Sequence, residues 1–175
     1  MKYVIIALAA FSLAACASAS NPGAMVPDVT NTTLIEEGSN LYEAVTVGEV
    51  DGGRETNPLW TSQVSSDDFA EALRQSFAAH AMLATDSGMY RLDAELAELQ
   101  QPFAGFNMTV TSQVNYTLTN VETGEVVYES SVEGEYTAAM GDALMGTERL
   151  RLANEGSIRT NIELMLAEII EAVDG

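Results

Sequence analysis

Residues 107–120 read NMTVTSQVNYTLTN. Met108, Val110, Val114, Tyr116 and Leu118 fall on one face of an extended chain, and Thr109, Thr111, Gln113, Asn115, Thr117 and Thr119 on the other. A period of two marks a strand, because successive Cβ atoms point to opposite sides of a sheet. One apolar face and one hydroxyl- and amide-bearing face imply an antiparallel sheet that is dry on one side and wet on the other.

The pattern spreads outward from this segment. Upstream, Tyr90, Leu92, Ala94 and Leu96 alternate with Arg91, Asp93 and Glu95. Downstream, Glu122-Thr123-Gly124-Glu125 is a hairpin turn, and the strand after it sets Val126, Tyr128, Val132 and Tyr136 against Glu129, Glu133 and Glu135. The β-branched stretch LYEAVTVGEV (41–50) predicts one more strand, and the turn residues of DGGRETNPLWTSQV (51–64) predict a loop. Ser65-Ser66-Asp67-Asp68 starts a helix, with Ser at the cap and acids at the positive end of the dipole. Phe69, Leu73 and Phe77 carry that helix to about Leu83. A last helix runs from about Thr147 to Val173 on a stripe of Ile158, Ile162, Met165, Leu166, Ile169 and Val173, with Gly156 either interrupting its start or allowing close packing. The order β-α-β-β-β-α predicts an α+β two-layer sandwich: a four-stranded, mostly antiparallel sheet with two helices on one face.

The chain opens MKYVIIALAAFSLAAC. One basic residue and a short apolar run ending in small residues describe a secretory signal, too short to span a bilayer comfortably. Leu13-Ala14-Ala15-Cys16 resembles the bacterial lipoprotein signature. The resemblance implies cleavage after Ala15, a diacylglyceryl group on the Cys16 thiol and an acyl chain on its new amine, with no other cofactor. Ala17 and Ser18, standing where an Asp signals inner-membrane retention, imply the outer membrane. Cys16 is the one cysteine in 175 residues, so no disulfide forms within the chain. The expected organisation is a signal peptide at 1–15, a lipidated Cys and flexible tether at 16–40, and a single α+β domain at 41–175.

The formal charge is −19, and the one lysine, Lys2, leaves with the signal. Phosphate neutralisation needs cationic side chains, so nucleic acid is excluded as a partner. The chain has no G-x-S-x-G, no Gly-rich phosphate loop and no EF-hand spacing. His80 sits beside an apolar stripe and reads as an edge-of-core residue. Glu129, Glu133 and Glu135 read as solvating edge protection. No catalytic residue and no metal ligand is assigned, and the chain is expected not to be an enzyme. Candidate contact residues lie in two loops: Arg54 and Trp60 in one, Phe103 and Phe106 in the other. Aromatics and Arg dominate interface centres. The alternative for these side chains is folding back to cap the sandwich.

TNPLWTSQ (56–63), DFAEALRQS (68–76), YRLDAEL (90–96), QPFAGFNMTV (101–110) and ERLRLANEG (148–156) resemble stretches of an uncharacterised proteobacterial outer-membrane lipoprotein family. The topology behind a lipid anchor is similar to that of the lipopolysaccharide-assembly lipoprotein and of ABC-transport auxiliary lipoproteins. The resemblance implies a periplasmic binding or assembly accessory protein of the outer membrane, with a barrel or transporter as partner. The alternative is a structural envelope lipoprotein that self-associates by sheet-edge pairing; an enzyme of unknown type comes third.

Overall fold

The computed structural model describes residues 17–29, 34–58 and 61–175. The expected signal peptide, Cys16 and Trp60 lie outside these residues. The element order is β1 (Val45–Asp51), α1 (Ser66–Ala79), β2 (Tyr90–Gln100), β3 (Met108–Asn120), β4 (Val126–Ala138) and α2 (Gly146–Asp174). The strands lie side by side in the order β1-β2-β3-β4, with β1 parallel to β2 and the other two pairs antiparallel. This is the expected α+β sandwich. The parallel pair follows from connection: α1 carries the chain back to the end of the sheet at which β1 began.

The alternation of β3 is realised in full. Met108, Val110, Val114, Tyr116 and Leu118 are buried, and so is Ser112 on the same face. Phe69, Leu73 and Phe77 of α1 and Ile158, Ile162, Met165, Leu166 and Ile169 of α2 cover that face in one core. Ser65 caps α1, its side chain accepting from the Asp68 N–H.

Three sequence expectations change. The first helix ends at Ala79, not near Leu83, because Ala81 turns into the left-handed region at φ 59°. Val126 belongs to the wet side and is half exposed; a register shift between Leu118 and Thr119 inserts Val127 and re-aims it. A second shift at Leu96/Glu98 turns Leu99 inward, opposite Ser112.

The third concerns the expected tether, whose described residues 17–29 and 34–40 pack on the body rather than standing free of it. Pro22–Met25 form a 3₁₀ turn held between α1 and α2, with Met25 fully buried. The Asn21 N–H donates to Glu155 Oε1 (2.8 Å), Arg159 Nη1 donates to Ala24 O (3.1 Å), and Ser20 Oγ donates to Gln63 O (3.0 Å). Further on, Ile35 and Leu41 join the core. The Ser/Asn/Pro/Gly composition suggested solvation, but Ser20, Asn21 and Ala24 find partners far away in the chain, and Met25 is buried between the helices.

A smaller cluster of Met108, Val110, Ala138, Leu150 and Ala153 lies at the loop end of the sheet. Between it and the main core runs a buried polar layer of Ser112, Gly134, Ser157 and Asn161. Asn161 Nδ2 donates to Val132 O (2.8 Å) and lies 3.2 Å from Ser112 O, and its Oδ1 accepts from Tyr116 Oη (2.8 Å). Gly156 serves close packing: a Cβ there would collide with the Tyr136 ring, over which Arg159 also stands at 5.5 Å.

Candidate functional site

Because β1 and β2 are parallel neighbours, the loops that leave their C-terminal ends emerge at the same end of the sandwich. Gln101 joins the two loops. Its Oε1 accepts from Gln63 Nε2 (3.0 Å), and its Nε2 donates to Ser62 O (3.0 Å) and Asn154 Oδ1 (2.7 Å). The β4–α2 connection arrives at the same place, the Met140 N–H donating to Asn107 Oδ1 (3.3 Å).

Arg149 fastens this end. Its guanidinium donates to Ala143 O (2.7 Å), Leu144 O (3.0 Å) and Gly105 O (3.3 Å), bridging two loops. The side chain is buried, its Nε has no partner among the described residues, and no described carboxylate pairs with it. A cation in the first turn of a helix opposes the dipole. Arg149 occupies that place because a planar fork of donors can hold several carbonyls at once. Sequence reasoning did not single it out; a cation just inside a helix start was the available signal.

With the loops held in this way, Phe103 (106% exposed), Phe106 (78%) and Leu144 (92%) project outward. They do not cap the core. Arg54 is exposed and lines a groove of about 220 Å³ with Gln63, Leu99 and Gln101. Phe103 lines a separate hollow of about 330 Å³ with Pro102, Met108, Arg149 and Leu150. The cation beside Phe103 is therefore Arg149 rather than Arg54.

The strap reaches this end too. The Ala17 N–H donates to Pro58 O (2.8 Å), one residue from the Asn57–Thr61 backbone pair, and Ala17 is buried. Behind it stands Glu155, which Arg151 Nη1 (2.5 Å) and the Asn21 N–H hold. Burial pushes the Glu155 carboxyl above its ordinary range, against the pull of Asn21 and Arg151. The hydrogen bond from Arg151 holds Glu148 below that range.

The two carboxyls have opposite linkage. The Glu155 contribution is full below the ordinary carboxylate pKa and is lost as pH rises through its raised value. The Glu148 contribution is present above that pKa and is lost as pH falls. Glu155→Gln should therefore gain stability relative to the parent chain as the buffer goes from about pH 4 to about pH 7. Urea unfolding at each pH measures this, and a constant difference would refute it.

His80 is buried at the end of α1. Its Nδ1 lies 2.7 Å from Ser76 O, and its carbonyl accepts from the Ile35 N–H. Glu129, Glu133 and Glu135 are exposed on the wet face of the edge strand β4.

The fold has relatives among solved structures. Protein XCC0632 of Xanthomonas campestris, described as belonging to the family DUF330, aligns at a TM-score of 0.54 and 13% identity, covering 83% of this chain and 97% of that one. A "putative lipoprotein" from Caulobacter crescentus aligns at 0.55 and 11%, covering 77% and 94%. The PelC dodecamer of Paraburkholderia phytofirmans aligns at 0.43 and 14%, covering 74% and 92%. The first two show a shared fold. No family model and no curated protein matches the sequence.

Proposed function

We propose that this chain is a lipid-anchored envelope protein, attached through Cys16, that works by contact at the periplasmic face of the outer membrane without chemistry of its own. The observation that carries the reading is the placement of Ala17. The lipoprotein-like Leu13-Ala14-Ala15-Cys16 ends one residue before Ala17, which is fastened to the folded body by the Ala17–Pro58 hydrogen bond. The anchor signal thus abuts a loop end that displays Phe103 and Phe106. The fold shared with the Caulobacter protein agrees with this reading. So does the engagement of the titratable groups buried in the body. Glu155 pins the strap, and His80 packs against the last turn of α1.

Replacing Cys16 by Ser tests the anchor. The parent chain should take up an alkyne-tagged fatty acid and sediment with outer membranes. Cys16→Ser should take up none and either appear in the soluble periplasmic fraction or remain unprocessed. Normal processing of the Ser variant, with retention on outer membranes through a high-salt wash, would refute lipidation as the anchor.

A further inference from the structure

We propose that the loop end carrying Phe103, Phe106 and Leu144 seats in the lipid leaflet that holds the Cys16 anchor, as a second, non-covalent attachment to the bilayer. The proposal deepens the anchor reading and rests on it. Phe103, Phe106 and Leu144 are almost entirely exposed, and Met140 (52%) and Met145 (46%) accompany them. Soluble surfaces rarely gather so many large apolar side chains without an occupant. The loops are also held in place: Arg149 ties Gly105 to Ala143 and Leu144, and Asn107 ties to Met140.

Charge distribution names the occupant. The chain carries 26 acidic residues, yet none falls in 17–27, 56–58, 61–66 or 99–107, which build this end or lead to it; the exposed Glu55 precedes them in the β1–α1 loop, and Glu148, in the first turn of α2, is paired with Arg151. In 139–145 the one acid, Asp142, is turned back on its own loop to accept from the Ala139 N–H (2.7 Å). An anionic headgroup layer repels carboxylates over about a Debye length. An end with so few free carboxylates is therefore the part of this molecule that such a surface can approach.

The anchor supplies the orientation. Ala17 is bonded to Pro58 at this end, and the Cα of Cys16 can lie only about 3.8 Å from that of Ala17. No spacer separates acyl chains from folded body. Acyl chains inserted from Cys16 draw the Pro58 end down to headgroup depth. Phe and Leu side chains there lose their contact with water, adding apolar burial to that of the acyl chains.

The test uses the full lipidated chain in vesicles of phosphatidylethanolamine and phosphatidylglycerol with brominated acyl chains. Once Cys16 is lipidated, an introduced thiol is the one site that reacts with an environment-sensitive fluorophore. Phe106→Cys and Leu144→Cys place the probe at the proposed contact. Thr123→Cys places it in the β3–β4 turn, about 40 Å away along β3. Probes at 106 and 144 should be blue-shifted and quenched several-fold more than the probe at 123. Equal quenching at both ends, with lipid on the Cys16 peptide verified by mass, overturns the proposal and leaves the anchor intact. Absence of that lipid refutes the anchor instead, and the seating proposal falls with it. Shielding of position 106 in native envelopes but not in vesicles identifies a protein occupant and also overturns the proposal. Phe103→Ser/Phe106→Ser/Leu144→Ser should remain lipidated but leave vesicles on the order of a hundredfold faster; unchanged desorption overturns the proposal.

Discussion

Replacing Gly134 by Val is expected to destabilise the fold by about 3 kcal/mol or more, lowering Tm by about 6–12 °C. Gly134 sits on the buried face of β4 where α2 crosses closest. A Cβ there would overlap Ser157 O and lie 2.6 Å from the backbone nitrogen of Asn161. Both are main-chain atoms of a 29-residue helix packed over the sheet, so relief requires moving the helix rather than a side chain. Gly141, in the β4–α2 loop, has nothing within 4 Å of a built Cβ and no left-handed φ. Gly141→Ala should leave Tm unchanged within about 1 °C. Calorimetry of the two variants decides the matter: equal melting would show that the α2–β4 approach is looser than the structure has it.

Asn161→Leu should cost about 2–4 kcal/mol, because three buried groups lose their partner together. The Val132 and Ser112 carbonyls lose a donor, and the Tyr116 hydroxyl loses its acceptor. Burial holds the Tyr116 hydroxyl well above its ordinary range, so it stays protonated and needs an acceptor throughout the stable pH range. Tyr116→Phe removes that need. The double variant should therefore be less destabilised than the sum of the two single changes, by about 0.5–2 kcal/mol. Strict additivity in urea unfolding would show that Tyr116 and Asn161 do not share a hydrogen bond.

The elements were legible where one local rule governed them. NMTVTSQVNYTLTN alternates over 13 residues and forms a strand of that length. Ser65 with Asp68 three positions on marked a helix start, and the cap is made. Reading failed where a bulge broke the period, as at Val126, and where a segment's partners lie far away in the chain. The strap at 17–29 looked like a linker because its composition is polar. Its hydrogen bonds run to Glu155, Arg159, Gln63 and Pro58, and no local window contains those pairings.

The loop end shows the same division. Periodicity left Phe103 and Phe106 outside every strand and helix, and their loop displays them. Arg54 is the cation the sequence offers in the Trp60 loop; the structure puts Arg149 beside Phe103, from the start of α2. Sequence by itself determined the four strands, their two faces, the two helices that cover one of them and the loop residues Phe103 and Phe106. These follow from side-chain alternation and capping, which act over a few residues. Only the tertiary structure decided that Ala17 meets Pro58, that Arg149 fastens two loops, and that Phe103, Phe106 and Leu144 share one end. Those placements depend on β1 lying parallel beside β2 and on α2 crossing β4 at Gly134, contacts between residues distant in the chain whose pairing no local preference encodes.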